Sequence, residues 1–197
     1  MYFFTSDLHF DNEETLSLDN RPFKDTKQFD SFVIKQFNKQ AKKEDTIFVI
    51  GDFVDCDGAE SESWKKSLAY VKKINSNVVL IMGNNEDRVV KYFFDGDFDS
   101  FRQYCLDMGF QEVYKNLEIN FSNINFYLVH KPIHYKSGII NLFGHMHRAG
   151  GLYKPFGLNI GCDLNHFRLY SQEDILNLLK MKDRYWDHDK NLNMKVE

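Results

Sequence analysis

Apolar positions along this chain fall into two alternating patterns. Short runs such as "MYFFTS", "DTIFVI" (Asp45–Ile50) and "NVVLIM" (Asn77–Met82) are almost wholly apolar and read as buried strands. Between them lie longer amphipathic stretches. In "DTKQFDSFVIKQFNKQAKK" the residues Phe29, Val33 and Phe37 share one helical face, and in "SESWKKSLAYVKKI" Trp64, Leu68 and Val71 do the same. The first ninety residues therefore predict β-α-β-α-β, parallel strands with helical crossovers. The second half differs. "SFRQYCLDMG" predicts a helix stopped at Gly109. Then "LEINF", "INFYLVH", "GIINLFG" and "LNIG" predict four strands, with "SNIN" as a hairpin turn. Ser171 and Asp174 have capping-box spacing ahead of a final helix through "ILNLLKM". No repeat or low-complexity linker divides the chain, so residues 1–197 read as a single domain. The tail from about residue 183 is polar and charged, and reads as partly disordered or packed across the surface.

Composition narrows the class. A hydrophobic content of 43% and an aromatic content of 16% belong to a globular protein. A chain of this length buries roughly 70% of the surface its unfolded form exposes, so it needs no staples. The three cysteines, Cys56, Cys105 and Cys162, are far apart and contain no CxxC pair, which argues against a secreted disulfide scaffold. No run is long enough for a membrane span, and the N-terminus has no basic leader. A cytoplasmic location is the expectation. The net charge of −4 and the lack of a long basic run give no strong duplex-DNA footprint.

The polar residues that carry chemistry follow the strands. Asp7 and His9 follow the first strand, Gly51-Asp52 the second, and Gly83-Asn84-Asn85 the third. His130 follows "INFYLV", and Gly144-His145-Met146-His147 follow "GIINLF". Open α/β sheets bind ligands beyond the carboxyl ends of their strands. If Ile139–Phe143 is a strand, His145 and His147 lie just past its end, where two imidazoles could converge on one object. Each motif alone has an ordinary structural reading as a turn, a cap or a core histidine. The joint placement is what points to metal: imidazoles with carboxylate or amide oxygens suit Mn, Fe, Zn or Ni, and seven such groups suit two ions sharing a carboxylate.

The ordered set Asp7-Leu8-His9, Gly51-Asp52, Gly83-Asn84, His130 and Gly144-His145-Met146-His147 resembles the signature of the calcineurin-like metallophosphoesterases. "RPF" (Arg21–Phe23) and "NIGCDLNHFRLYS" (Asn159–Ser171) resemble its small stand-alone bacterial and phage members. The resemblance implies an α/β fold: an α-β-β-α sandwich of two mixed sheets, with a binuclear metal site at the C-terminal edge of the strands. It implies that Asp7, His9 and His147 hold one ion and Asn84, His130 and His145 the other, with Asp52 bridging. It implies two divalent ions, manganese foremost, with Fe, Zn or Ni as alternatives. Hydroxide bridging the ions would then hydrolyse a phosphodiester or activated monoester in a small phosphorylated substrate or nucleotide.

Two departures bear on the substrate. Many relatives read Gly-Asn-His after the third strand, and that histidine can protonate a leaving group or touch phosphate. Here Asn85 stands in its place, able to donate a hydrogen bond but no proton, and Asp55 would normally pair with the missing histidine. Small relatives often carry a histidine where Asn12 stands. The expected catalytic residues are thus Asp52, Asn84 and Asn85, with Asn85 and Arg21 touching substrate. Arg88 is a weaker phosphate contact, His134 reads as a loop residue, and His166 and His188 carry no signal. A nuclease of this fold acting on RNA ends is the alternative enzyme, and a non-catalytic interaction scaffold the alternative class. The metallo-β-lactamase pattern His-x-His-x-Asp-His is absent from "HMHRAG".

Overall fold

The computed structural model describes residues 1–186. In chain order the elements are β1 (Tyr2–Thr5), α1 (Glu13–Leu18), α2 (Thr26–Gln40), β2 (Thr46–Ile50), α3 (Ser63–Leu68), β3 (Asn77–Ile81), α4 (Asn84–Phe93) and α5 (Phe98–Met108). There follow β4 (Glu112–Tyr114), β5 (Leu117–Phe121), β6 (Ile124–Leu128), β7 (Ile140–Phe143), β8 (Tyr153–Lys154), β9 (Gly157–Asn159), β10 (Tyr170–Ser171) and α6 (Gln172–Trp186). One mixed sheet has the order β10-β1-β2-β3-β4, parallel except for β10. The second has the order β5-β6-β7-β9-β8, with β6, β7 and β9 parallel and the outer two strands antiparallel to their neighbours.

Alternation along the central strands assigns two cores. Phe3, Ile47, Val49, Val78 and Leu80 face the helices, where they meet Phe29, Val33, Phe37, Trp64, Leu68 and Phe101. Their neighbours Phe4, Phe48, Ile50, Val79 and Ile81 face the other sheet and meet Phe121, Phe126, Leu128, Leu142 and Leu158. Both faces of the first sheet are buried, which is why its strands read as continuous apolar runs. Helix α6 packs Ile175 against the inter-sheet core.

Local chemistry explains the boundaries. Asp25 caps α2 by accepting from Gln28 N. Gly109 ends α5 in the left-handed region, φ 116°. Ser122 and Asn123 turn the β5–β6 hairpin with φ 51° and 60°. Ser171 and Asp174 exchange bonds at the start of α6, the expected box. The helix expected through "SESWKKSLAYVKKI" stops at Leu68 and tightens into a 3-10 turn over Ala69–Lys73. Of the tail, residues up to Trp186 continue α6, and the rest of that expectation lies outside the described residues.

A candidate metal centre of two clusters

The ends of β1, β2 and β7 turn sharply. Asp7, His9, Asp52, His145 and His147 all lie in the left-handed region, with φ between 43° and 69°. A non-glycine residue there is strained, by about 1–3 kcal/mol each, and persists only where surrounding contacts over-determine it. Those contacts cross between the loops: Asp7 N donates to Gly51 O at 3.1 Å, His9 N to Asp52 O at 3.0 Å, and Gly144 N to His130 O at 3.0 Å. Gly144 has to lack a side chain, because a Cβ there would come 2.6 Å from Asp7 Oδ2.

The turns gather the polar residues into two triads. Donor atoms of Asp7, His9 and His147 lie within 4.8 Å of one another, as do those of Asp52, His130 and His145. Asn84 Oδ1 is 3.2 Å from His130 Nε2 and so joins the second triad. Asp52 Oδ2 stands between them, 3.3 Å from His130 Nε2 and 3.7 Å from His9 Nε2. His145 and His147 lie in different triads, the division that the resemblance implies rather than the single object that strand alternation alone suggests. Strand alternation does not extend to them, because both have positive φ and the chain is turning. The rings of His9 and His147 stack at 5.1 Å, while those of His130 and His145 meet edge to face at 5.2 Å.

Three of the imidazoles are held from behind through Nδ1. His130 Nδ1 lies 2.8 Å from Ile50 O, which can only accept, so Nδ1 carries a proton and Nε2 faces inward, where a cation would have to displace its proton. His147 Nδ1 is 2.6 Å from Asp19 Oδ2, and His9 Nδ1 is 3.3 Å from Asp55 Oδ2. Carboxylates behind ligating imidazoles fix ring orientation and raise basicity. His9 Nε2, buried and aimed at Asp52, has no hydrogen-bond partner. A buried nitrogen left unsatisfied among carboxylates and imidazoles is a place that a cation fits.

The electrostatics agree. Burial pushes the Asp52 carboxyl up, but the hydrogen bond and charge of His130 and the charge of His9 hold it well below the usual carboxylate range. Burial disfavours charge on His130, yet Asp52 and Asp7 push it up to about 9. His147 is raised against its burial by Asp19, Asp7 and Asp163, and His145 is lowered by burial and by His130. The pocket of buried carboxylates thus attracts positive charge.

Several residues placed here were not singled out from sequence. Glu86, fully buried, accepts from the backbone N–H groups of Asp52, Phe53, Val54 and Gly83 and so fixes the turn that aims Asp52. Burial and the nearby Asp52 push its carboxyl up to about 7. Asp19 caps the end of α1, and Asn159 Nδ2 donates to His147 O at 2.9 Å. Nothing in a lone Asp or Glu marked Asp19 or Glu86. Asn159 and Asp163, by contrast, lie within the quoted segment Asn159–Ser171.

Arg21 is the clear correction. Expected to contact phosphate, its guanidinium is buried and committed to the protein. It pairs with both oxygens of Asp163 at 3.0 and 2.9 Å and donates to Leu8 O and Asp7 O. Through Leu8 O and Asp7 O it clamps the loop that carries Asp7 and His9, and its burial keeps it from a substrate at the surface. Asp55, expected to pair with a histidine at position 85, pairs with His9 instead. Asn85 is buried; its N–H donates to Asp52 Oδ1 at 3.0 Å, and its Oδ1 accepts from Arg88 at 3.2 Å. Asn12 caps α1 by accepting from Thr15 N. His134 sits on an exposed loop.

Among the described residues no helix is long and apolar enough to cross a membrane. In sequence, this chain is 26% identical over 92 residues to an uncharacterized protein of Methanocaldococcus jannaschii, a match covering 44% of this chain and half the length of that relative. In structure, it resembles a protein of unknown function from Aquifex aeolicus with a TM-score of 0.65 and 23% identity, over 90% of this chain and 98% of that one. That likeness shows the fold alone. A nuclease from Pseudomonas putida matches at a TM-score of 0.45 and 14% identity, over 74% of this chain and 61% of that one, too weak a likeness to bear on activity. The sequence model described as "Calcineurin-like phosphoesterase" matches residues 2–191, nearly the whole length. The chain belongs to the calcineurin-like phosphoesterase family.

Proposed function

We propose that the protein hydrolyses phosphodiesters or activated monoesters with two divalent ions. Asp7, His9 and His147 would hold one ion, Asn84, His130 and His145 the other, and Asp52 both. The observation that carries this reading is Asp52 Oδ2, set between His130 Nε2 and the unpartnered His9 Nε2. Divalent cations there, manganese foremost, would acidify water and neutralise charge developing on the phosphoryl oxygens. The chain's own part is positioning. Nδ1 contacts aim the Nε2 lone pairs inward, Glu86 fixes the Asp52 turn, and Arg21 fixes the Asp7 loop. Asn85 keeps Nδ2 as a hydrogen-bond donor, and it orients the exposed Arg88, a guanidinium suited to a phosphoryl oxygen. Asn85 supplies no proton to the departing oxygen, which favours good leaving groups. The three buried free cysteines suit a reducing cytoplasm.

The test is hydrolysis of bis(p-nitrophenyl) phosphate and p-nitrophenyl phosphate by protein reconstituted with Mn²⁺. Diester turnover that chelator abolishes and Mn²⁺ restores is expected. Full turnover in excess chelator, or none with any transition metal, would remove the reading.

A further inference from the structure

Beside the second triad a cavity of about 390 Å³ opens directly onto Asn84 and His130. This is within the range of small-molecule sites. Its apolar lining comes from Met82 and Val129, both buried, and the half-buried Tyr127. Its rim is cationic. Lys115 and Lys131 both line it, and neither ammonium has a carboxylate within ion-pair distance among the described residues. Lys115 instead lies over the Phe98 ring at 4.9 Å. The one acidic side chain lining the cavity, Asp87, feels both lysines and offsets only one of them.

A neutral or purely apolar occupant would leave those two cations unanswered. A ring alone would use the apolar lining and ignore the rim. We propose that this cavity receives the departing half of a phosphodiester, and that this half is a nucleotide. Its base lies on Tyr127, Met82 and Val129, and its own phosphate is met by Lys115 and Lys131. The inference rests on the phosphoesterase reading and deepens it by naming the substrate class. For the dinucleotide pApA, hydrolysis would consume one water, break the P–O3′ bond, and give two molecules of AMP. The AMP that leaves with its 3′ oxygen is the occupant of the cavity; that oxygen is a poor leaving group and takes its proton from water, because Asn85 has none to give.

The experiment has two arms. In the first, calorimetry on chelator-treated protein compares AMP with adenosine, so that no metal can bind the phosphate. AMP should bind at least about tenfold tighter than adenosine, and Lys115→Ala/Lys131→Ala should erase that difference while the melting temperature is retained. In the second, with Mn²⁺ restored, the kcat/KM ratio of pApA over bis(p-nitrophenyl) phosphate should fall about tenfold in the double variant, through KM. Equal binding of AMP and adenosine, or an AMP preference that survives the double substitution, would overturn the cavity assignment. Failure of the wild-type protein to cleave either diester would instead remove the phosphoesterase reading, whatever the calorimetry gives.

Discussion

The two triads that meet at Asp52 differ in what stands behind them. The first is enclosed and backed by charge. Asp7 and His9 are buried, Asp55 holds His9, Asp19 holds His147, and the Arg21–Asp163 pair closes the rear. The second is open. His130 leans on a backbone carbonyl, His145 is exposed with no hydrogen bond to its ring among the described residues, and the cavity of Lys115 and Lys131 lies alongside. Carboxylate backing strengthens imidazole ligation, and enclosure slows exchange. On the proposed function the difference implies a division of labour: the enclosed triad would keep its ion, and the open one would meet substrate.

The severest way to break this comparison is to remove what the halves share. Asp52→Ala should abolish binding at both and lower diesterase activity by about 10³-fold, given the several kcal/mol that a two-ion clamp supplies. Calorimetric metal titration checks it, and an intact high-affinity step would show that Asp52 belongs to one half only. The next test separates the halves. Chelator should strip the ions in two phases, and His145→Ala should delete the faster phase alone. A single phase, or loss of the slower one, would reverse the assignment of open and enclosed.

Asp19→Asn probes the backing itself. It keeps shape and removes charge, so the slow-phase affinity should weaken about 10–100-fold with the fast phase unmoved. The smallest effect concerns a residue outside both halves. Asp30, buried near Tyr70, has its carboxyl pushed up to about 6 by burial, against the partial relief of hydrogen bonds from Tyr70 and the Asp11 backbone. Its folded pKa exceeds the unfolded value near 3.8, so its contribution is full below that value and is lost as pH rises through 6. Asp30→Asn cannot ionise and should raise Tm at pH 8 by roughly 2–4 °C, with little change at pH 4. Metal affinity should be untouched. A variant that melts lower at pH 8 would mean the charged carboxylate is satisfied.

Much of this was legible in the sequence because it depends on short-range pattern. Phe4 and Phe3 go to opposite cores by alternation alone, and Gly109, Ser122–Asn123 and Ser171 announce their turns by residue type. The seven candidate ligands stood out because each follows an apolar run. Elements without such a signal were not legible. α1 is only six residues long, α4 begins inside the Asn84 motif, and β8 and β10 have two residues each. The split of His145 from His147 followed from the ordered motif and not from periodicity, since both residues are left-handed and leave the strand's alternation. Arg21 was expected at substrate because its partner, Asp163, is 142 positions away, and Glu86 carried no signal because its four donors belong to two separate turns. Long-range satisfaction of a buried charge leaves no local trace.

The central claim, two ions sharing Asp52, is tested most directly by elemental analysis of protein stripped, reconstituted with Mn²⁺ and freed of excess metal. The account predicts a content approaching two equivalents per chain, falling to one in His145→Ala. A content that saturates at one in the wild-type protein, or stays at zero under every reconstitution, would contradict it.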